Sequence, residues 1–102
     1  MAIGSITVET LKQWMNKNEV TLVDVREPAE WEASRIEGAV LIPLATVPHT
    51  AIPSVAGKKL VIHCRSGKRS QTACEVLSHL HPSLEVYNLE GGILAWEALQ
   101  QK

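Results

Sequence analysis

In the run Val61-Ile62-His63-Cys64-Arg65-Ser66-Gly67-Lys68-Arg69-Ser70, an apolar segment ends in a cysteine set among cationic and small residues. A cysteine is nucleophilic as its thiolate, and positive charge, backbone N–H donors and a helix N-terminus each favour that form. All three are on offer here. Arg65, Lys68 and Arg69 carry charge, Ser66 and Gly67 allow the backbone to curl so that successive amides point inward as a nest, and Ser70 is placed to cap a following helix. The expected chemistry is nucleophilic catalysis by Cys64 on an anion bound by Arg65, Ser66, Gly67, Lys68, Arg69 and Ser70. Three nearby cations otherwise mean only a solvated basic turn; their place beside a thiol is what points to recruitment of an anion.

The remaining chemically capable residues divide differently. Cys74 falls on the apolar stripe of the next helix, which makes it a packing residue, with a resolving thiol as the alternative. His63 directly precedes Cys64 in a strand, where adjacent side chains point to opposite faces, so it is read as packing rather than as a general base. Asp24 and Arg26 close another strand and read equally well as an ordinary ion pair or as support for the cysteine loop. His79 and His81 are two apart and the two cysteines lack C-x-x-C spacing, so no metal site is expected. With neither a Walker A nor a dinucleotide glycine pattern, no cofactor is expected either.

These residues need elements to position them. Val8, Leu11, Trp14 and Met15 follow helical spacing behind Thr7 as cap, which predicts a helix from about Val8 to Lys17. Thr21 to Val25 is a β-rich run, and Pro28 suits the first turn of a short helix ending at Ala33. Val40 to Ile42 and Leu60 to His63 are further strands. Between them, Pro48 and Pro53 argue against one long helix over Ala45 to Val55 and allow a short or broken one. Ala73, Cys74, Val76, Leu77 and Leu80 form a helical stripe running from Ser70 to about His81-Pro82. Leu84 to Leu89 is a strand, Glu90-Gly91-Gly92 a turn, and Ile93 to Gln100 a closing helix. Short buried strands alternating with helices predict an α/β fold with a mainly parallel sheet. In such sheets ligands gather beyond the carboxyl ends of the strands, where Cys64, Asp24 and Arg26 all fall.

A chain of 102 residues is one domain, burying roughly 60 to 70% of its unfolded surface. A net charge of -1 argues against general polyanion binding, so no nucleic-acid partner is expected. No stretch approaches the roughly 18 consecutive apolar residues of a membrane span, and Met1-Ala2-Ile3-Gly4-Ser5 has neither the basic nor the apolar region of a signal peptide. A cytoplasmic monomer with reduced thiols and no membrane partner is the expectation.

Four ordered segments give the chain a resemblance that covers nearly its whole length. They are Leu22-Val23-Asp24-Val25-Arg26-Glu27 with Glu30-Trp31; Ile36-Glu37-Gly38-Ala39 through Ile42-Pro43-Leu44; Cys64 to Ser70; and Leu89-Glu90-Gly91-Gly92-Ile93 with Trp96. Together they resemble a single-domain rhodanese. The resemblance implies a five-stranded, mostly parallel sheet flanked by helices, and a Cys64 persulfide that carries sulfur from a small anionic donor such as thiosulfate to a thiol, protein or cyanide acceptor. The chain departs from the family pattern before Ile36, where Ser34-Arg35 replaces the usual Gly-His.

The same fold also carries phosphatases and arsenate reductases, but tyrosine-phosphatase-like loops place five residues between cysteine and the phosphate-gripping arginine. Here Arg69 follows after four, and the shorter loop suits a sulfur atom on cysteine better than a tetrahedral phosphate. A non-catalytic binding or redox-sensing module is the other reading; retention of the cysteine and its cationic loop speaks against it.

Overall fold

The computed structural model of the chain describes residues 2–52 and 57–100. In chain order these form β1 (Ala2–Ile6), α1 (Val8–Asn16), β2 (Val20–Asp24), α2 (Pro28–Ala33), β3 (Val40–Leu41), a 3-10 helix (Leu44–His49), β4 (Lys59–His63), α3 (Lys68–Leu80), β5 (Glu85–Leu89) and α4 (Gly92–Gln100). The five strands make one sheet in the order β1-β5-β4-β2-β3, every pair parallel. The strand that delivers Cys64 is therefore the central one.

The helix boundaries have local causes. Thr7 accepts from the Thr10 N–H and caps α1, while Pro28 opens α2 behind a reciprocal capping box between Glu27 and Glu30. The expectation for Ala45 to Val55 is met in part by the 3-10 helix, with Pro48 inside it; Pro53 and Val55 lie outside the described residues. β1 is a strand that residue patterning did not reveal. It pairs with β5 in register, Ile3 opposite Val86 and Gly4 opposite Tyr87, and a Cβ on Gly4 would stand 2.5 Å from the Tyr87 ring. The glycine that makes room for tyrosine also removes the β-branched signal.

Successive side chains alternate between two buried faces, so β4 is buried without a break from Leu60 to His63, as a sheet covered on both faces requires. Leu60, Ile62 and Cys64 join Val23, Val25 and Val86 under Ala73, Cys74 and Leu77 of α3. Val61, Leu22 and Leu89 face the other way, against Val8 and Leu11 of α1 and Ile93 of α4. Truncating one of these fully buried aliphatics, such as Leu77, is worth about 2–5 kcal/mol. Among the described residues no helix is long and apolar enough to cross a membrane.

Candidate active site

Cys64 leaves β4 at its carboxyl end, and the chain turns at once into α3. Gly67 occupies the helix N-cap position with φ 116°, a left-handed conformation open to glycine, and having no side chain it leaves the cap position without an acceptor. The sulfur fills that role. Cys64 Sγ accepts from the Gly67 N–H at 3.2 Å and from the Ser70 N–H at 3.3 Å, with the Ser70 hydroxyl at 3.4 Å. Ser70 is thus inside the first turn of α3 rather than at its cap, which corrects the sequence expectation. The physical reason is the left-handed glycine, which starts the helix earlier and turns the serine inward.

Burial is the strongest influence on the Cys64 thiol and pushes it up. The Ser70 hydroxyl and the N–H groups of Ser70, Gly67 and Ser66 together outweigh it, so the thiol is held below its usual range. Cys74, in the interior of α3, has no such donors among the described residues. Burial first, then the charges of Glu75 and Cys64, push its thiol up to about 12.

The cations of the loop are not equivalent. Arg65 and Lys68 are exposed, and among the described residues neither forms an ion pair. Arg69 reaches away to α2, where its guanidinium holds Glu30 with two bonds of 2.7 and 2.9 Å. That fork, more than any other influence, lowers the Glu30 carboxyl to about 2 and raises Arg69. Since Glu30 also caps α2, one carboxylate ties the start of α2 to the cysteine loop.

Asp24 and Arg26 share the carboxyl edge with Cys64, but the alternation of β2 sends Asp24 to the opposite face from Val23 and Val25. Their ion pair is buried. The Arg26 Nε and Nη2 donate to Asp24 at 2.7–3.0 Å, and Nη2 also donates to the Ser34 carbonyl at 2.7 Å. Ser34 has φ -165°, extended backbone that any residue adopts, so glycine is not required there. Arg35 lies over the Trp31 ring and donates to the Trp31 carbonyl. His63 is paired in register with Asp24, its Nε2 3.7 Å from Oδ2, and its Nδ1 lies 3.3 Å from the Cys64 carbonyl. Burial dominates its environment and pulls its pKa below 6.5.

Two supports escaped the sequence reading of the site. The turn into α4 clamps the base of the loop: Ile93 N–H donates to the Cys64 carbonyl at 2.9 Å and Leu94 N–H to the Arg65 carbonyl at 3.2 Å. A Cβ on Gly92 would fall 2.5 Å from both carbonyl oxygens, which is why the approach needs glycine. Asn88 of β5 braces the other side through Gly67, Ser70 and Gln71. The paired glycines were visible as a motif; their contact with Cys64 was not, because it joins segments distant in sequence.

Among known proteins, the model of the Rhodanese-like domain matches residues 7–99. A protein of Allochromatium vinosum named sulfurtransferase is 38% identical over 95 residues, covering 92% of this chain and 88% of its own. An uncharacterised protein of Synechocystis is 37% identical over 91% of this chain, which spans only 51% of that relative. The crystal structure of a rhodanese-related protein from Thermoplasma volcanium, 33% identical, superposes with a TM-score of 0.80 over 93% of this chain and 91% of that one. With its all-parallel five-stranded sheet and a cysteine at the N-terminus of the helix after the central strand, the chain belongs to the rhodanese-like domain family.

Proposed function

We propose that this chain is a sulfurtransferase that moves a sulfane sulfur from thiosulfate, or a donor of the same chemistry, to a thiophilic acceptor through a Cys64 persulfide. The observation that carries the reading is the sulfur of Cys64 sitting where a helix cap belongs, with backbone N–H groups donating to it. A thiolate so held needs no separate base, and His63, spent on the far face of the sheet, is not asked to be one.

In the first displacement the Cys64 thiolate attacks the outer sulfur of thiosulfate. A new S–S bond forms, the old one breaks, and sulfite leaves with the bonding pair. Arg65 and Lys68, exposed on the loop, attract the dianion and stabilise the departing sulfite. In the second displacement the acceptor attacks the outer persulfide sulfur and Cys64 leaves as thiolate, returning to the donors that stabilise it. The loop amides of Ser66, Gly67 and Ser70 act in both steps on negative charge at sulfur. Arg69 contributes by position: its bond to Glu30 fixes the first turn of α3. The same bond supports sulfur over phosphate, since it occupies the arginine nearest to a phosphate-gripping position.

Thiocyanate formation from thiosulfate and cyanide tests the proposal. Turnover is expected in the parent and in Cys74→Ser and is expected to vanish in Cys64→Ser, because a serine hydroxyl forms no persulfide. Turnover that survives in Cys64→Ser would overturn the assignment. We infer further that the protein acts as a monomer in the cytoplasm, taking its sulfur acceptor from solution; a single concentration-independent species in sedimentation supports the first part.

A further inference from the structure

The Ser70 hydroxyl has two partners and one proton. It lies 3.4 Å from Cys64 Sγ and is also hydrogen-bonded to the side-chain oxygen of Asn88. Which partner receives the proton follows from Asn88. The Asn88 Nδ2 faces the Gly67 carbonyl at 3.2 Å and Gln71 Oε1 at 3.3 Å, and a carbonyl oxygen can only accept. Gln71 in turn directs its own Nε2 to the Glu75 carboxylate, which leaves Oε1 for Asn88. The amide is thereby oriented, its Oδ1 must face Ser70, and Ser70 must be the donor of that bond. Toward sulfur, the hydroxyl then presents a lone pair. That arrangement suits a neutral thiol, whose S–H donates to Oγ; a thiolate gains the Ser70 proton only at the expense of the bond to Asn88.

We propose that Asn88 is a positioning residue that holds the Ser70 hydroxyl turned away from Cys64 while the sulfur is neutral, so that the hydroxyl swings to donate to sulfur only when negative charge stands there. No proton leaves the pair: the thiol's proton goes to solvent on ionisation, and the Ser70 hydrogen exchanges one acceptor, Oδ1, for another, Sγ. The backbone N–H donors of Ser66, Gly67 and Ser70 stay in place throughout, so Asn88 tunes the ionisation they establish. In the catalytic cycle the swing falls where Cys64 departs as thiolate from its persulfide. Only this last consequence rests on the reading of Cys64 as a sulfur carrier.

The test reads the free thiol. The rate of Cys64 alkylation by iodoacetamide is followed against pH, with peptide mapping to count Cys64 alone, in the parent, Asn88→Ala, Ser70→Ala and the double variant. Removing the competing acceptor frees the hydroxyl for the thiolate. The midpoint for Asn88→Ala is therefore expected to fall by about half a unit to one unit, the equivalent of one neutral hydrogen bond. The fall is expected to disappear when Ser70→Ala is added, and Ser70→Ala alone is expected to move the midpoint less than it does in the Asn88→Ala background. A merely structural role predicts the opposite sign, because a loosened loop loses N–H donors and its thiol rises. A midpoint that is unchanged or raised in Asn88→Ala, or a fall that survives Ser70→Ala, overturns the proposal. Circular dichroism checks that the variants fold, and Asn88→Leu, which keeps the branched side-chain shape without an acceptor, replaces Asn88→Ala if the smaller residue does not. The charged and titratable groups around the thiol are left unaltered: Arg65 and Lys68 on the loop, Arg69 with its partner Glu30, Cys74 on α3, and His63 beside the Asp24–Arg26 pair. Because no sulfur donor is present, failure here is separate from failure of the sulfur-transfer reading.

Discussion

Cys64 and Cys74 lie in the same apolar cluster on one face of the sheet, both almost without solvent exposure, yet their thiols are driven in opposite directions. Burial alone works against a thiolate at both. What separates them is the backbone: Cys64 stands at the open N-terminus of α3, whose first N–H groups have no other acceptor, while Cys74 stands within the same helix, where every N–H is already committed to a carbonyl one turn back. The lowering of the Cys64 thiol thus comes from helix N-terminal donors and the Ser70 hydroxyl rather than from the nearby cations. Of the three cations in the loop, one is held by Glu30 and two face solvent.

The largest expected effect separates the two residues outright. Cys64→Ser is expected to reduce sulfur transfer to background, whereas Cys74→Ser retains it and lowers stability by about 1 kcal/mol through lost apolar packing; a thiocyanate assay beside a urea titration checks both. If the donors rather than the cysteine itself make the difference, disturbing the loop from below should matter almost as much. Gly92→Ala places a Cβ against the Cys64 and Arg65 carbonyls at φ 56°, and a loss of about 1–3 kcal/mol with most of the activity is expected. Retained activity and stability in that variant would break the link between α4 and the site.

Much of this contrast was legible in the residues, and the illegible part has identifiable causes. The cysteine, its cations and its glycine are neighbours in sequence, so a single stretch displays them. The helix bounds of α2 were readable for the same reason: Pro28 marks the start, and the apolar spacing runs out at Ala33. Ser70 misled because serine before an apolar stripe is a cap signal, and only the left-handed backbone of Gly67 moves the cap three residues back. Asn88 and Glu30 were invisible as parts of the site because they reach it across 18 and 39 residues, through pairings that the sheet order creates. β1 was hidden by its own glycine.

Smaller effects sharpen the comparison from the electrostatic side. Glu30, bonded to Arg69, has a folded pKa of about 2 against an ordinary 4.5, so its contribution to stability is complete above 4.5 and is lost as pH falls toward 2. His63 has its folded pKa pulled below 6.5, so its contribution is complete above 6.5 and declines as pH falls below that value. Denaturation midpoints are therefore expected to drop in two stages on acidification, the lower stage weakened in Glu30→Gln. An unchanged lower stage in that variant would remove the Glu30–Arg69 fork from the account. The smallest effect is expected at the solvent-facing cation: Lys68→Ala raises the thiosulfate KM by a few-fold with little change in kcat, and weakens its salt dependence. An unchanged KM would leave donor recruitment to Arg65 and the backbone.

The most direct test of the central claim is the native intact mass of fully reduced protein after thiosulfate and again after cyanide, in the parent and in Cys64→Ser. The parent is expected to gain one sulfur atom that cyanide then removes, and the variant is expected to gain none. Sulfur gained equally by Cys64→Ser, or no gain by the reduced parent, would contradict Cys64 as the carrier of sulfur from thiosulfate.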